Sequence, residues 1–147
     1  FGKYFGIGQQ IMNDICDFVP PRLNTGTTEK TSDDAYRDIK TGKMTYPVIW
    51  LLANGNIQDI GLLSKIIEKG EDTELSELED LTKRLVSSGA MDFAIHRAKE
   101  CRNKAKSSLR KAFSKRERDY LSSMCKIFDC NRYYWELTGL KNLQKPL

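Results

Sequence analysis

Ala94, Ala98, Cys101 and Ala105 are spaced four, three and four residues apart, the period that gathers side chains onto one seam of an α-helix. Ile60, Leu63, Ile66 and Ile67 repeat at the same period, as do Leu81, Leu85 and Val86. No segment alternates apolar and polar residues as a half-buried strand does, and neither an internal repeat nor a low-complexity tract is visible. The expected fold class is therefore all-α, a helical bundle.

Punctuation along the chain sets the expected elements. Residues 1–18 read as a helix that is apolar on most sides. Residues 19–35, rich in Pro, Gly, Thr and Asn, read as a loop, and a loop this long inside a compact domain is uncommon and often functional. Ser32, Asp33 and Asp34 offer an N-cap for a short turn from Tyr36 to Lys40 that stops at Gly42. Pro47 suits the first turn of a helix over 46–54, ended by Asn54-Gly55-Asn56. A helix over 57–69 stops at Gly70. The spacing of Ser76 and Glu79 predicts a capping box for the next helix, which begins around Thr73 and closes at Gly89. A long helix is expected from Ala90 to about Phe113. A further helix runs from Ser114 to Tyr134, carrying Leu121, Met124 and Phe128.

With 147 residues, the chain is long enough for one domain that buries roughly two-thirds of its unfolded surface. Its longest apolar run, Tyr46 to Ala53, is far short of the roughly 20 residues that span a bilayer, so no membrane span is expected. Cys16, Cys101, Cys125 and Cys130 form no C-x-x-C pair, which points to reduced thiols and a cytoplasmic location rather than zinc or redox chemistry. The chain opens at Phe1, without an initiator Met, in what reads as helix interior; a fragment of a longer protein is expected.

The net charge of +4 is too small to imply nucleic acid by itself. Basic residues crowd the stretch from Arg97 to Arg118, but no aromatic side chain interleaves with them as a stacking platform would require. A solvated helix face is the expectation there, with no nucleic-acid partner. His96, the single histidine, has no acid or serine partner in sequence and reads as a surface or packing residue.

The chemistry is concentrated in the first helix. Gln10, Asn13, Asp14 and Asp17 share one face, with Gly6 on the same side, while Phe5, Ile7, Ile11, Met12, Ile15, Cys16 and Phe18 cover most of the remaining circumference. Carboxylates on such a helix need a bound cation, a basic partner or a water-filled cavity, because burying unpaired charge costs several kcal/mol, a rough figure. From spacing alone, a cation held by Asp14 and Asp17 and an ion pair to a neighbouring helix are equally good readings. A hard cation such as Mg²⁺ takes one or two carboxylates together with substrate phosphates.

The segment from Gly6 to Phe18 resembles the second aspartate-rich motif of the polyprenyl synthetase family, G-x-x-F-Q-I-x-D-D-x-x-D. Gln10 stands at the glutamine, and Asn13, Asp14 and Asp17 at the three acids; Gln9 stands where the family prefers an aromatic residue. Beyond the loop, the segment from Asp38 to Ile49 is similar to the family's D-I-x-x-G-K-x-T-x-P-V-I. The stretch from Gly89 to Leu109 is similar to its C-terminal helix, ending in A-K-x-x-L. The resemblance covers residues 1–130 and identifies the chain with the C-terminal half of a trans-polyprenyl diphosphate synthase. It divides the chain into a metal-motif helix (1–18), an active-site loop and diphosphate-binding turn (19–45), C-terminal helices (46–130) and a tail (131–147) that matches no family feature.

What the resemblance implies is a Mg²⁺-dependent prenyltransferase that ionises an allylic diphosphate and adds the carbocation to isopentenyl diphosphate. Asp14 and Asp17 would hold Mg²⁺, with Asn13 at a weakened third position. Lys43 and Lys30 would contact the diphosphate, and Asp38 would orient Lys43 or a metal-bound water. Gln10 would face the reacting carbons. The first aspartate-rich motif and the isopentenyl diphosphate site belong to the family's N-terminal half, so these residues alone should be inactive without that half or a partner chain. A homo-oligomer and an exposed apolar patch are further expectations. The alternatives are a non-catalytic, regulatory or degenerate synthase subunit, for which Asn13 speaks, and an unrelated helical interaction domain.

Overall fold

The computed structural model describes residues 1–18, 36–109 and 113–128. Every regular element among them is helical, so the all-α expectation holds. In chain order the α-helices are α1 (Gly2–Cys16), α2 (Arg37–Lys40), α3 (Tyr46–Asn54), α4 (Ile57–Lys69), α5 (Leu75–Ser87), α6 (Ala90–Ser108) and α7 (Lys115–Met124). Short 3₁₀ turns occupy Gly70–Asp72 and Cys125–Phe128.

The alanine seam explains the central packing. Ala94, Ala98, Cys101 and Ala105 are all buried, and small side chains there let α6 lie close along α1, whose Ile11, Met12 and Ile15 fill the contact. α6 also receives α3 and α5, and α3 touches α1 as well; α4 packs on α5, and α2 rests on α4. Val48, Leu51, Leu63, Ile66, Leu78, Leu81 and Leu85 complete the core.

Local signals set several ends as expected. Both α3 and α4 have the expected bounds, with Pro47 in the first turn of α3 and Gly70 at the end of α4 in a positive-φ conformation (φ 55°) that glycine adopts without a Cβ clash. The Asn56 side chain caps α4 by accepting from the backbone N–H groups of Gln58 and Asp59, each at 2.9 Å.

Three expectations fail. The capping box of α5 is formed by Glu74 and Glu77 rather than Ser76 and Glu79. Thr73 is drawn away from capping, because its hydroxyl donates back to the carbonyls of Gly70 (2.7 Å) and Ile66 (3.2 Å). At the other end of the chain the helix after Ser114 winds as α only to Met124, then tightens into the 3₁₀ turn that brings buried Cys125 against the core. Finally, α1 is not enclosed on all sides: its C-terminal half is buried, but Ile7 remains 44% exposed.

The expected cap at 32–34 and the tail at 131–147 lie outside the described residues. At its described start α2 has Tyr36 as N-cap, in a left-handed conformation (φ 62°) without a side-chain cap. The Tyr36 N–H donates to the Asp17 carbonyl at 3.0 Å, and the Tyr36 ring meets Phe18 edge-on at 6.3 Å between centroids. Asp17 and Phe18 are therefore tied to Tyr36 beside the last turn of α1.

Candidate functional site

The polar face of α1 divides by depth. Asp14 and Asp17, 6% and 5% exposed, sit one turn apart at the helix's buried end, whereas Gln10 and Asn13 are exposed. Asp14 is held by two hydrogen bonds at 2.9 Å. The Gln10 side-chain amide donates to Oδ1, and the backbone N–H of Tyr46, 32 residues away, donates to Oδ2. A carboxylate so fixed has lost rotamer freedom yet keeps lone pairs for a further ligand.

The second expected segment folds into a tight reversal next to it. Gly42, at φ 71°, turns the chain after α2, so that the Lys43 N–H donates to the Asp38 carbonyl at 2.8 Å. The Lys43 ammonium then returns to Asp38 Oδ2 at 2.6 Å. That contact, a charge-assisted hydrogen bond, holds the Lys43 pKa above the usual lysine range, and the carboxylates of Asp38, Asp14 and Asp17 act in the same direction. A side chain 48% exposed thus keeps its positive charge, held in place by Asp38.

The sequence expectations therefore meet in space. Asp38 and Lys43 pair directly, and Asp14 and Asp17 reach the same join of α1, α2 and α3 through the Tyr46 and Tyr36 amides. Gln10 enters the site through Asp14 rather than standing apart from it. Asn13 points to solvent. Lys30 lies outside the described residues. The basic stretch on α6 and α7 is largely a solvated face, where Arg97 pairs with Glu100 and His96 lies 3.5 Å from the same carboxylate.

Sequence reasoning placed the start of α3 but missed how it is capped. Thr45, the N-cap residue, is fully buried, and its hydroxyl makes no hydrogen bond among the described residues; Asp14 takes the first helical amide instead. The available signal was Pro47, which removes one of the few free amides of that first turn and leaves Tyr46 N–H as a donor in need of a partner.

Part of the α3 surface is apolar. Ile49 and Leu52 on α3 are 51% and 41% exposed, and Phe93 on α6 stacks on Tyr46 at 5.7 Å and tilts against Trp50 at 6.1 Å.

No family model matches the chain, and no solved structure matches it. Two curated proteins do. The octaprenyl diphosphate synthase of Haemophilus influenzae is 30% identical over 105 residues, which is 71% of this chain and 30% of that protein. Component 2 of the heptaprenyl diphosphate synthase of Geobacillus stearothermophilus is 28% identical over 92 residues, 63% of this chain and 25% of that protein. The chain thus spans less than a third of the length of these relatives. Through these matches the chain is related to the polyprenyl diphosphate synthases, the prenyltransferases of the polyprenyl synthetase family.

Proposed function

We propose that the chain supplies the second aspartate-rich part of a Mg²⁺-dependent prenyltransferase site, the part that grips the diphosphate of an allylic substrate. The observation that carries this reading is that hydrogen bonds tie the Asp14 carboxylate to the Tyr46 amide and the Asp17 carbonyl to the Tyr36 amide, at the two ends of the segment that holds the Asp38–Lys43 pair. An isolated lysine and an isolated pair of acids have many uses; a held cation on a segment anchored to two buried acids fits a metal–diphosphate unit.

Among the described residues, no group of three or more His, Cys, Asp or Glu side chains is arranged to hold a metal alone. That suits Mg²⁺, which keeps part of its shell for water and substrate phosphate. Asp14 and Asp17 would be its protein ligands. Once bound, the ion supplies positive charge to a leaving diphosphate. Lys43 adds a compact charge suited to the same oxygens, and Asp38 keeps that charge in place. Gln10 orients Asp14, and its exposed amide remains within reach of substrate. In the reaction proposed, the allylic C–O bond breaks, the cation adds to the double bond of isopentenyl diphosphate, and a proton is lost from the adduct. The other substrate's site would come from a further segment or chain.

A second reading is a subunit without catalysis of its own. The amide of Asn13 at the first acid position favours it, as does the relative named as one component of a synthase. Calorimetry with inorganic diphosphate, with and without Mg²⁺, tests the site. Binding that needs both the metal and the pair Asp14 and Asp17 is the expected result; equal binding by an Asp14→Ala, Asp17→Ala variant sinks the proposal. Turnover after addition of a synthase N-terminal half then separates enzyme from silent subunit.

A further inference from the structure

Resting on the diphosphate-site reading, we infer that Asp14 is a positioning residue for Lys43 as well as a cation ligand: it caps α3 from another helix and thereby fixes the turn that carries Lys43.

A helix begins with backbone N–H groups that lack internal partners, and the N-cap side chain normally takes one of them. Thr45 has the right chemistry and an extended backbone (φ −76°, ψ 161°), yet its hydroxyl forms no cap bond. Pro47 contributes no N–H. The α3 start is instead held by the Asp14 carboxylate, whose negative charge also suits the positive end of a helix. Because Asp14 is 6% exposed and braced by Gln10, this cap is rigid.

The consequence reaches Lys43 through a short chain of bonds. The Thr45 N–H donates to the Lys43 carbonyl at 3.0 Å, and the Lys43 N–H donates to the Asp38 carbonyl at 2.8 Å. Residues 38–46 are therefore clamped at one end by the Asp38–Lys43 pair and at the other by Asp14. If the Asp14 bond goes, one clamp goes, and the segment that carries the ammonium loses its fixed place.

Electrostatics alone makes the opposite forecast, which gives a clean test. Removing a carboxylate near Lys43 should strengthen metal-free binding of an anion. Removing a positioning cap should weaken it. We would measure metal-free binding of inorganic diphosphate and, by NMR, hydrogen exchange at the Tyr46 amide in the wild type, Asp14→Ala, Asp14→Asn and Asp17→Ala chains. The expected results are Tyr46 exchange roughly ten- to hundredfold faster in Asp14→Ala, a smaller rise in Asp14→Asn, which keeps an acceptor oxygen, and none in Asp17→Ala. Diphosphate binding should weaken in Asp14→Ala. Unchanged Tyr46 exchange, or tighter diphosphate binding in Asp14→Ala, overturns the inference. If Asp14→Ala fails to fold, Asp14→Asn gives the same two readouts. Failure of the wild type to bind diphosphate even with Mg²⁺ overturns the proposed function and with it any purpose in positioning Lys43, while the exchange arm still decides whether Asp14 caps α3.

Discussion

Lys43 Nζ lies 2.6 Å from Asp38 Oδ2, and the backbone N–H of the same lysine donates to the Asp38 carbonyl, so one residue is held twice by the other. An exposed ion pair contributes little to folding. Its value lies in placing a charge, and Lys43→Ala should leave the melting temperature nearly unchanged. The same substitution should weaken diphosphate binding about tenfold or more, since a charge-assisted contact is lost. Calorimetry beside a thermal melt checks both halves; a large drop in melting temperature with intact binding would reverse the assignment.

Glu77 gives a pH prediction. Hydrogen bonds from Lys65 and Lys69, at 2.7 and 2.8 Å, and one from the Glu74 backbone lower its pKa from the usual 4.5 to about 2. A depressed carboxylate stabilises the fold in its ionised form. That contribution is complete above the unfolded value near 4.5 and is lost as pH falls through about 2. Glu77→Gln should therefore lower the melting temperature at pH 7, with the gap to wild type closing between pH 4.5 and about 2. A gap of constant size over that window would mean that the charge of Glu77 is idle.

Ala98 is fully buried on the seam where α6 lies along α1. Ala98→Leu adds three carbons to a contact with no room for them and should cost about 1–3 kcal/mol, as overpacked cores do. The same change at Lys99, on the neighbouring and less buried face of α6, should be near neutral. Denaturant unfolding of the two variants measures the difference.

The outer face of α3 tests the partner expectation. A helix as apolar as Tyr46–Asn54 is normally covered on all sides, yet Ile49 and Leu52 are exposed. Ile49→Glu with Leu52→Glu should leave helicity intact and reduce self-association or capture of a synthase N-terminal half. Sedimentation of the variant against wild type decides it, and unchanged association would assign the contact to another surface.

Features that depend on near neighbours were legible from the residues alone. The bounds of α3 and α4 follow from Pro47, Asn56 and Gly70, whose backbone preferences act within a turn, and the alanine seam of α6 follows from a period that needs no partner to be read. The spacing of Asp14 and Asp17, and the Lys43 turn with its glycine, were legible for the same reason. Competition between partners was not. Ser76 and Glu79 have the spacing of a capping box, but Thr73 is occupied by the carbonyls behind it and Glu77 is pinned by two lysines of α4, so the box forms two residues before the expected place. That the first amide of α3 belongs to Asp14 follows from packing between helices. A buried donor takes whichever acceptor the packing brings within about 3 Å; here that acceptor lies 32 residues away on another helix.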